Sequence, residues 1–320
     1  MRRVLILGGS GWLGRRIAER AIASGDEVTC LARGESGSVP QGARHLRVDR
    51  RDTGAYDAAS GDWDEVVELA HAPDLVRPAL AHLAAAAAHW TLVSSVSVYA
   101  DADQPGADET AALVDASDPD RYADAKVLAE RASADSLGDR LLIARPGLIV
   151  GPGDPSDRFG YWPARFGRGG TVLVPETEGR FAQVIDVDDL AAWVHRAGAH
   201  GVTGPINAVG DVVPFGEILG TAASVAGFTG DVLHADDETL LAHSVGYWAG
   251  PESLPLWLPA AAVGFCQRSS SAYRSSGGTA RPLGETMRRV LDDELARGAE
   301  RPRKSGLDPL REQRIIESLL

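Results

Sequence analysis

Short apolar runs alternate with longer amphipathic or alanine-rich stretches over the first 150 residues. The apolar runs predict strands at 3–7 (RVLIL), 27–32 (EVTCLA), 44–48 (RHLRV), 65–70 (EVVELA), 90–94 (WTLVS) and 140–145 (RLLIAR). The stretches between them predict helices at 12–24, 74–88 and 120–136. Continuously apolar strands separated by helices are typical of a parallel sheet covered on both faces. We therefore expect an α/β fold with a doubly wound parallel sheet, the Rossmann arrangement.

The pattern changes after residue 150. The segment GPGDPSDRFGYWPARFGRGG is rich in glycine, proline and aromatic residues, which predicts an excursion or lid. A helix at 187–199 and a short strand near GPINAVG indicate a return to the main sheet. The segment VLHADDETLLAHSVG predicts one strand–helix unit, 267–281 predicts a mobile loop, and Asp308 is a candidate cap of a last helix.

This pattern predicts two domains. The larger is a dinucleotide-binding domain at 1–151, to which 181–210 returns. The smaller is a substrate or lid domain built from 152–180 and 211–320, interleaved with the first.

Composition narrows the class of partner. Among 320 residues, 44% are hydrophobic and 24% charged, as in a soluble globular protein, and the formal net charge is −13. Such a charge argues against nucleic acid or an anionic membrane as the main partner, because binding phosphate backbones requires a basic face. A small-molecule substrate remains compatible with it.

The cysteines and the N-terminus indicate where the protein works. Cys30 and Cys266 are the only cysteines and lie far apart, so neither a zinc site nor a disulfide framework is indicated. The segment MRRVLILGG enters a strand at once, leaving no room for a signal peptide, and the apolar run LAAAAAHW is too short to span a bilayer. We therefore expect a cytoplasmic protein.

The strongest chemical signal is a glycine-rich turn between the first strand and the first helix. Gly8, Gly11 and Gly14 stand three residues apart in VLILGGSGWLGRRIAERAIASGDEVTCLARG. In this strand–turn–helix–strand context the backbone can approach a pyrophosphate, and the helix N-terminus favours its negative charge. The alternative is a tight turn that holds no ligand.

The end of the second strand predicts which nicotinamide cofactor binds. Sites for NAD place an acid there to bond the ribose 2′-hydroxyl, whereas a nearby arginine accommodates a 2′-phosphate. The segment CLARG offers Arg33, and no acid follows until Glu35. The sequence therefore favours NADP(H) over NAD(H), with a solvated strand-end charge as the alternative role of Arg33.

Five motifs in order resemble the extended and atypical short-chain dehydrogenase/reductases, the group that contains the NAD-dependent epimerase/dehydratase family. They are GGSGWLG, Asp49 in RVDRRD, Ser95 in SSVSVYA, the Tyr122-x-x-x-Lys126 pair in YADAK, and RPGLIVGP. The resemblance runs from residue 1 to about 210 and more loosely to the end. It implies that Tyr122, Lys126 and Ser95 are catalytic.

The glycine turn, the strand ends and the resemblance together predict a set of cofactor-binding residues: Gly8, Ser10, Gly11, Trp12, Leu13, Gly14, Arg33, Asp49, Arg50, Ala70, His71, Lys126, Pro146 and Ile149. Within it, Asp49 would contact the adenine, Lys126 the nicotinamide ribose, and Pro146 to Ile149 the nicotinamide. Relatives often dimerise through the helix that carries the tyrosine. The small residues of YADAKVLAE suit such packing, so a homodimer is a further prediction.

The tyrosine and lysine are one helical turn apart and share a face. A free tyrosine has a pKa of about 10, too high for easy proton exchange at neutral pH. A nearby ammonium group stabilises the phenolate and lowers that value. Tyr122 would then give a proton to a carbonyl or take one from an alcohol, while Ser95 bonds the substrate oxygen as the resemblance implies.

Two features depart from the family pattern, and a cluster of acids raises the question of a metal site. The fourth strand ends in ELAHAP, where relatives carry small residues, so His71 either faces the adenine ribose or is hydrogen-bonded within a loop. Sugar-nucleotide members carry a phosphate-clamping arginine before the next helix, but RFAQVIDVDDLA has alanine near that place and Arg180 two positions early. Asp186, Asp188 and Asp189 open a helix, where acids favour the helix dipole, so no metal site is predicted.

The segment DPSDRFGYWPARF is the predicted substrate region. Phe159, Tyr161 and Trp162 are candidates for a hydrophobic pocket wall. Arg158 or Arg165 are candidates for binding a carboxylate or phosphate. Ser97, which lies beside Ser95 in the sequence, is a further substrate-binding candidate. Trp248 and Trp257 are further candidates. For each aromatic residue the alternative is packing of the lid onto the main domain.

The leading functional prediction is an NADP(H)-dependent oxidoreductase acting on a small carbonyl or alcohol. One alternative is a sugar-nucleotide epimerase or dehydratase with tightly bound NAD. Another is a binding protein that senses NADP(H) without chemistry. The missing clamp arginine weakens the first alternative, and the presence of serine, tyrosine and lysine weakens the second.

Overall fold

The fold is built on the apolar runs of the first half of the chain. A computed structural model describes residues 1–298 and 301–320. Its strands are β1 (Arg3–Leu7), β2 (Glu27–Leu31), β3 (Arg44–Leu46), β4 (Glu65–Glu68), β5 (Trp90–Val93), β6 (Leu141–Pro146), β7 (Leu148–Val150), β8 (Val172–Pro175), β9 (Phe181–Asp186), β10 (Gly204–Ala208), β11 (Val212–Pro214), β12 (Val232–Ala235), β13 (Gly246–Trp248) and β14 (Ser253–Pro255). Its α-helices are α1 (Trp12–Ala23), α2 (Pro73–Leu83), α3 (Tyr122–Leu137), α4 (Arg158–Gly167), α5 (Val187–Ala199), α6 (Phe215–Val225), α7 (Asp237–Ala242), α8 (Ser271–Ser275), α9 (Leu283–Arg297) and α10 (Pro309–Leu319).

Seven of these strands form the central sheet, in the order β10-β6-β5-β4-β1-β2-β3, and all neighbours are parallel. The predicted doubly wound α/β fold is confirmed, and the strand in GPINAVG is β10, beside β6. The predicted helix at 74–88 is too long. It ends at Leu83, and a 3-10 turn over Ala84–Ala86 redirects the chain toward β5.

Alternation along the strands covers both faces of this sheet. Val4 and Ile6 of β1 pack in one cluster with apolar residues of α1 and α5. Leu5 and Leu7 point to the opposite face and pack with α2 and α3. Burial on both faces explains why the strand sequences are almost continuously apolar.

The order of the strands fixes where a ligand can bind. From β1 the chain moves to β2 and β3 on one side, and β4 then starts the other half of the sheet. A crevice opens at the carboxyl ends of strands where the order reverses in this way. The glycine-rich turn at the end of β1 lies at that point.

A separate apolar cluster lies outside the central sheet. It is formed by residues of α4, β8, α6, α9 and α10, among others. Smaller sheets border it, in the orders β11-β9-β7, β12-β8 and β13-β14. The division into 1–151 with 181–210 and 152–180 with 211–320 stays a prediction, because the cluster also includes Leu148, Val150 and Ala182 of the first part. Residues 299 and 300 lie outside the described residues.

The prediction of a mobile loop at 267–281 is wrong in its central part. Ser271–Ser275 form a short helix, and Tyr273 is fully buried with its ring edge-on to Trp193 at 5.1 Å between centroids. The serine-rich composition hid this single aromatic anchor. The terminal helix agrees with its prediction, because the Asp308 side chain accepts hydrogen bonds from the first-turn amides of α10.

Among the described residues, none of the helices has the length and hydropathy that a membrane crossing requires.

Candidate active site

The glycine-rich turn leaves an open cradle at the end of β1. Gly8 has a φ of 105°, in the left-handed region that favours glycine. A Cβ atom at Gly14 would overlap the Gly8 carbonyl oxygen and the Leu69 side chain, so this glycine permits close packing of helix on strand. At Gly11, the N-cap of α1, a Cβ would meet only the Gly8 oxygen, at 3.4 Å, and no side chain caps the helix. The first-turn amides of α1 are therefore available to an anion.

A pocket of about 260 Å³ adjoins this cradle on the side of β2 and β3. It brings together predicted cofactor-binding residues, namely Gly8, Ser10, Gly11, Arg33, Asp49, Arg50 and Ala70. Arg33 is half-exposed, and its guanidinium lies 3.0 Å from Glu35 and 3.6 Å from Asp49. Arg51 also lines this pocket and is half-exposed, and it pairs with Asp74 at 2.7 Å, so Arg33 is one of two arginines there that remain open to solvent.

Arg50 has a different environment from the one predicted. Its guanidinium is buried and pairs with Glu68, with 2.8 Å between Nη1 and Oε1, and it also bonds the Tyr56 hydroxyl at 3.1 Å. Glu68 in turn accepts a hydrogen bond of 2.8 Å from the Ala70 amide. Arg50 thus supports the pocket wall through a buried ion pair and offers no free cation.

Sequence reasoning missed Glu68. It is a fully buried carboxylate at the end of β4, which contains valines and a second glutamate. A buried carboxylate requires a charged or hydrogen-bonding partner. This requirement could have predicted a cationic partner for Glu68, and the basic segment after β3, which contains Arg50, was the nearest candidate in the sequence.

A larger cavity of about 560 Å³ continues from the cradle toward the second part of the chain. It joins most of the remaining predicted residues in one space, namely Gly8, Gly11, Trp12, Leu13, Gly14, His71, Ser95, Ser97, Tyr122, Lys126, Pro146, Ile149 and Arg158. The Trp12 indole donates a 2.9 Å hydrogen bond to the Pro152 carbonyl, which ties the cradle to the segment after β7. Asp154, Trp248 and Phe265 also line this cavity.

Ser95, Tyr122 and Lys126 meet on one wall of the cavity. Tyr122 is the first residue of α3, and Lys126 follows one turn later with its Nζ 5.8 Å from the centre of the tyrosine ring. The Lys126 ammonium is buried and donates to the Val93 carbonyl at 2.6 Å. Ser95 follows β5, and its Oγ accepts a hydrogen bond of 3.1 Å from the Ser97 amide. The Ser95 hydroxyl also donates to the Ser97 Oγ at 3.1 Å, and both serines line the cavity.

The environment shifts the titration of both α3 side chains. Burial raises the pKa of the Tyr122 phenol, and a hydrogen bond with Ser95 and the charge of Arg158 oppose that rise. The residue as a whole is 50% exposed, because its ring faces the open cavity. Burial lowers the pKa of Lys126 to about 8, against the opposing effect of Glu68 and Glu130.

The lysine shift predicts a pH dependence of cofactor affinity. Lys126 should be charged below about pH 8 and neutral above it, whereas an ordinary lysine keeps its charge to about 10.5. If its ammonium holds the cofactor ribose, affinity should fall as the pH rises from 7 to 9. Calorimetric titration of NADPH at pH 7, 8 and 9 measures this. Lys126→Arg should show no such fall, because the guanidinium stays charged throughout. Equal wild-type affinity at pH 7 and 9 would contradict the assigned role.

His71 lies against Tyr122. The two rings are 5.1 Å apart between centroids and nearly perpendicular, at 72°. Burial and the charge of Lys126 lower the pKa of His71, so the imidazole is neutral at pH 7. His71 also lines the cavity, so its place beside the adenine ribose stays a prediction, whereas its imidazole makes no loop hydrogen bond within residues 1–298 and 301–320.

The predicted aromatic wall of the cavity is wrong for three residues. Phe159, Tyr161 and Trp162 are 1%, 2% and 0% exposed and belong to the apolar cluster of the second part. They lie on α4, and the Trp162 indole donates to the Pro255 carbonyl at 2.7 Å. Tyr161 lines a different pocket, beside Leu307. These aromatics therefore pack the core, and Trp248 and Phe265 line the cavity together with Trp12 and Tyr122.

Two other candidates are also structural. Trp257 is fully buried and its indole donates to Asp237. Arg165 is buried and forms an ion pair of 2.5 Å with Glu312. Neither can reach a ligand in the cavity.

At the position considered above for a phosphate-clamping arginine, the structure has Ala182. Ala182 is buried in β9, and Arg180 pairs with Asp237 at 2.6 Å. The acids that follow have structural roles. Asp186 caps α5 and pairs with Arg289, which also pairs with Asp188, while Asp189 pairs with Arg281.

Comparisons with known proteins agree with this architecture. Residues 4–91 match the model of the NAD dependent epimerase/dehydratase family, which confirms the predicted resemblance over that segment. A Burkholderia cenocepacia protein assigned as an epimerase is 24% identical, with 92% of this chain and 98% of that chain covered and a TM-score of 0.71. The UDP-glucose 4-epimerase of Thermus thermophilus, in complex with NAD, is 22% identical, with 93% and 99% covered and a TM-score of 0.65.

A third solved structure, the UDP-N-acetylglucosamine 4-epimerase from Bacillus cereus, is 17% identical, with 94% and 99% covered and a TM-score of 0.69. No curated protein sequence matches the chain. At these identities the solved structures establish a shared fold.

Proposed function

We propose that this chain, which resembles the NAD-dependent epimerase/dehydratase family, is an oxidoreductase that transfers hydride between a nicotinamide cofactor and a small carbonyl or alcohol. The observation that carries the proposal is the convergence of Ser95, Tyr122 and Lys126 on the cavity that begins at the glycine cradle. A proton donor, a charge beside it and an anion cradle in one space are the parts such a reaction requires.

The cradle and the cavity wall fit the cofactor. The pyrophosphate would lie at Gly8–Gly14 and the first turn of α1, the ribose near Lys126, and the nicotinamide along Pro146–Ile149. The bound nicotinamide supplies or accepts the hydride. The absence of a Cβ at Gly11 is the observation that supports this fit, because the backbone must approach the pyrophosphate closely.

The chain's own side chains handle the proton. Ser95 donates to the substrate oxygen and holds it beside the Tyr122 hydroxyl. In the reducing direction Tyr122 gives its proton to that oxygen, and in the oxidising direction it takes the proton back. Lys126 stabilises the phenolate by its charge, since an adjacent cation favours the ionised form of a phenol. The neutral His71 imidazole packs on the tyrosine ring without adding charge.

NADP(H) is the proposed cofactor, because Arg33, which follows β2, is a solvent-open cation of the pocket beside the glycine cradle, here called the adenosine pocket. Arg33→Ala should reduce NADPH affinity about 10- to 100-fold, the range lost with a charge-assisted hydrogen bond, and change NADH affinity much less. Calorimetric titration of both cofactors into both proteins measures the difference. Arg77→Gln removes an exposed arginine elsewhere and should change neither affinity. Equal losses for NADPH and NADH would remove the basis for NADP(H).

A sugar-nucleotide epimerase with tightly held NAD is the second candidate. The fold shared with UDP-sugar epimerases over more than nine-tenths of the chain favours it, and the buried Ala182 at the clamp position opposes it. Native mass spectrometry of the purified protein separates the two candidates. Exchangeable NADP(H) supports the oxidoreductase, whereas retained NAD supports redox recycling within one turnover. A sensing role without chemistry would require binding of NADP(H) with no turnover of any carbonyl compound.

A further inference from the structure

Arg158 lines the cavity beside Trp248 and Phe265, in the part here called the substrate side. It is the first residue of α4, and its Nε donates to the Ser156 hydroxyl at 3.1 Å. That hydroxyl donates to the buried Asp154 carboxylate at 2.9 Å. The chain Asp154–Ser156–Arg158 thus fixes the near edge of the guanidinium and leaves the Nη1 and Nη2 edge for another partner.

The start of α4 is held rigidly beneath this arginine. Asp157, the N-cap, adopts a left-handed conformation with a φ of 60° and is 3% exposed. Its carboxylate binds Arg297 at 3.2 Å and Arg301 at 2.5 Å, and accepts from the Lys304 amide at 2.9 Å. A residue held in such a backbone conformation requires strong support from its surroundings, and this network supplies it.

An aromatic platform covers the guanidinium. The Arg158 Cζ lies 5.2 Å from the centre of the Trp248 ring, a cation–π distance. The Trp248 ring packs edge-on against Phe265 at 5.5 Å. Trp248 itself has a φ of 67°, and its amide donates to the Trp257 carbonyl at 2.9 Å. The position of the Trp248 ring is therefore supported by the backbone conformation and hydrogen bonding of β13.

The charge of Arg158 is not neutralised by a close carboxylate. Across residues 1–298 and 301–320, no carboxylate oxygen lies within 4.0 Å of its guanidinium nitrogens. Arg165 and Arg180, by contrast, each have such a partner at 2.5–2.6 Å. Burial lowers the pKa of Arg158, and the charges of Asp154 and Tyr122 oppose that fall without reversing it. An anionic ligand would stabilise a partly buried cation that has no carboxylate within 4.0 Å.

We infer that the substrate of the proposed oxidoreductase is a carbonyl compound that carries a carboxylate. Arg158 binds the carboxylate through its free Nη edge, Trp248 and Phe265 cover the adjoining apolar part, and Ser95 and Tyr122 address the carbonyl oxygen. A carboxylate matches the two remaining parallel donors. A phosphate dianion fits less well, because among the described residues Arg158 is the one arginine that lines the cavity, and the nearby Asp154 carboxylate repels a second negative charge more than a single one. The inference rests on the proposed function.

The kinetic test compares 4-carboxybenzaldehyde with its neutral methyl ester, which has similar carbonyl reactivity, with NADPH as the reductant. The wild type should prefer the carboxylate in kcat/KM by about 10- to 100-fold, the effect of a charge-assisted bidentate bond. Arg158→Gln should bring the ratio close to one, mainly through KM. Arg77→Gln makes the same change of net charge at an exposed site outside the cavity and should keep the wild-type ratio. A wild-type ratio near one, with both aldehydes reduced, would overturn the inference and leave the oxidoreductase standing.

A binding test needs no turnover. Benzoate should bind the wild-type protein saturated with NADP⁺ at least about tenfold more tightly than benzamide, as measured by calorimetry. Benzamide keeps the ring and removes the charge, so this comparison holds even if Arg158→Gln does not fold. Benzoate binding without reduction of any aldehyde would support the carboxylate site while the proposed function fails. Equal binding of the two compounds, or tighter binding of phenyl phosphate than of benzoate, would overturn the carboxylate assignment.

Discussion

Replacing Tyr122 with phenylalanine is expected to reduce turnover by about 10²- to 10⁴-fold, the contribution of a positioned general acid. The phenol is the proton-bearing group that lies beside Ser95 and faces the open cavity, and phenylalanine keeps its ring while removing that proton. Cofactor affinity should stay nearly unchanged, because the cradle and Lys126 are retained. Stopped-flow kinetics with the carbonyl substrate and calorimetry with NADPH measure the two quantities separately.

The matched control is Tyr273→Phe. It removes a phenol hydroxyl that donates to the Thr279 carbonyl, on the α5 side of the sheet and outside the cavity. Turnover in this variant should equal that of the wild type. Unchanged turnover in Tyr122→Phe would mean that the proton comes from another group, and His71, whose ring touches Tyr122, would be the next residue to replace.

The part of the fold that sequence reasoning predicted well is the part whose signals are local. Each strand of the central sheet is a short run buried on both faces, so its composition alone identifies it. The glycine spacing has a similarly local cause, since Gly14 permits close packing on Gly8, which lies in the same short turn. The Tyr122–Lys126 pair is also local, one turn apart on a single helix.

Prediction of the substrate-binding residues failed because the contacts that form this part of the cavity join residues far apart in the sequence. Glycine, proline and aromatic residues in the segment 151–170 indicated an excursion or lid, yet 158–167 form α4, which directs Phe159, Tyr161 and Trp162 into the core. The platform under Arg158 comes from Trp248, which follows much later in the chain. No spacing rule connects two such positions. The Arg50–Glu68 pair is a further example, with its partners on adjacent segments of the fold and no shared motif.

Two alanine substitutions in the glycine turn are expected to have different effects, although both positions belong to the same motif. At Gly14 a methyl group would overlap the Gly8 carbonyl and the Leu69 side chain, so Gly14→Ala should lower the free energy of unfolding by about 1–3 kcal/mol even without cofactor. Gly11 has a φ of −74° and open space beyond 3.4 Å, so Gly11→Ala should leave that free energy nearly unchanged.

Gly11 lines both the adenosine pocket and the main cavity, so its added methyl group should stand where the two meet and where the pyrophosphate is proposed to lie. We expect Gly11→Ala to weaken NADPH binding about 10- to 100-fold, the cost of a steric conflict of this size. Urea unfolding of the free protein and calorimetry with NADPH measure the two effects independently. If Gly11→Ala bound NADPH as the wild type does, the pyrophosphate would have to lie away from the turn. Because the nicotinamide is connected through the pyrophosphate, its proposed place beside Tyr122 would fail with it.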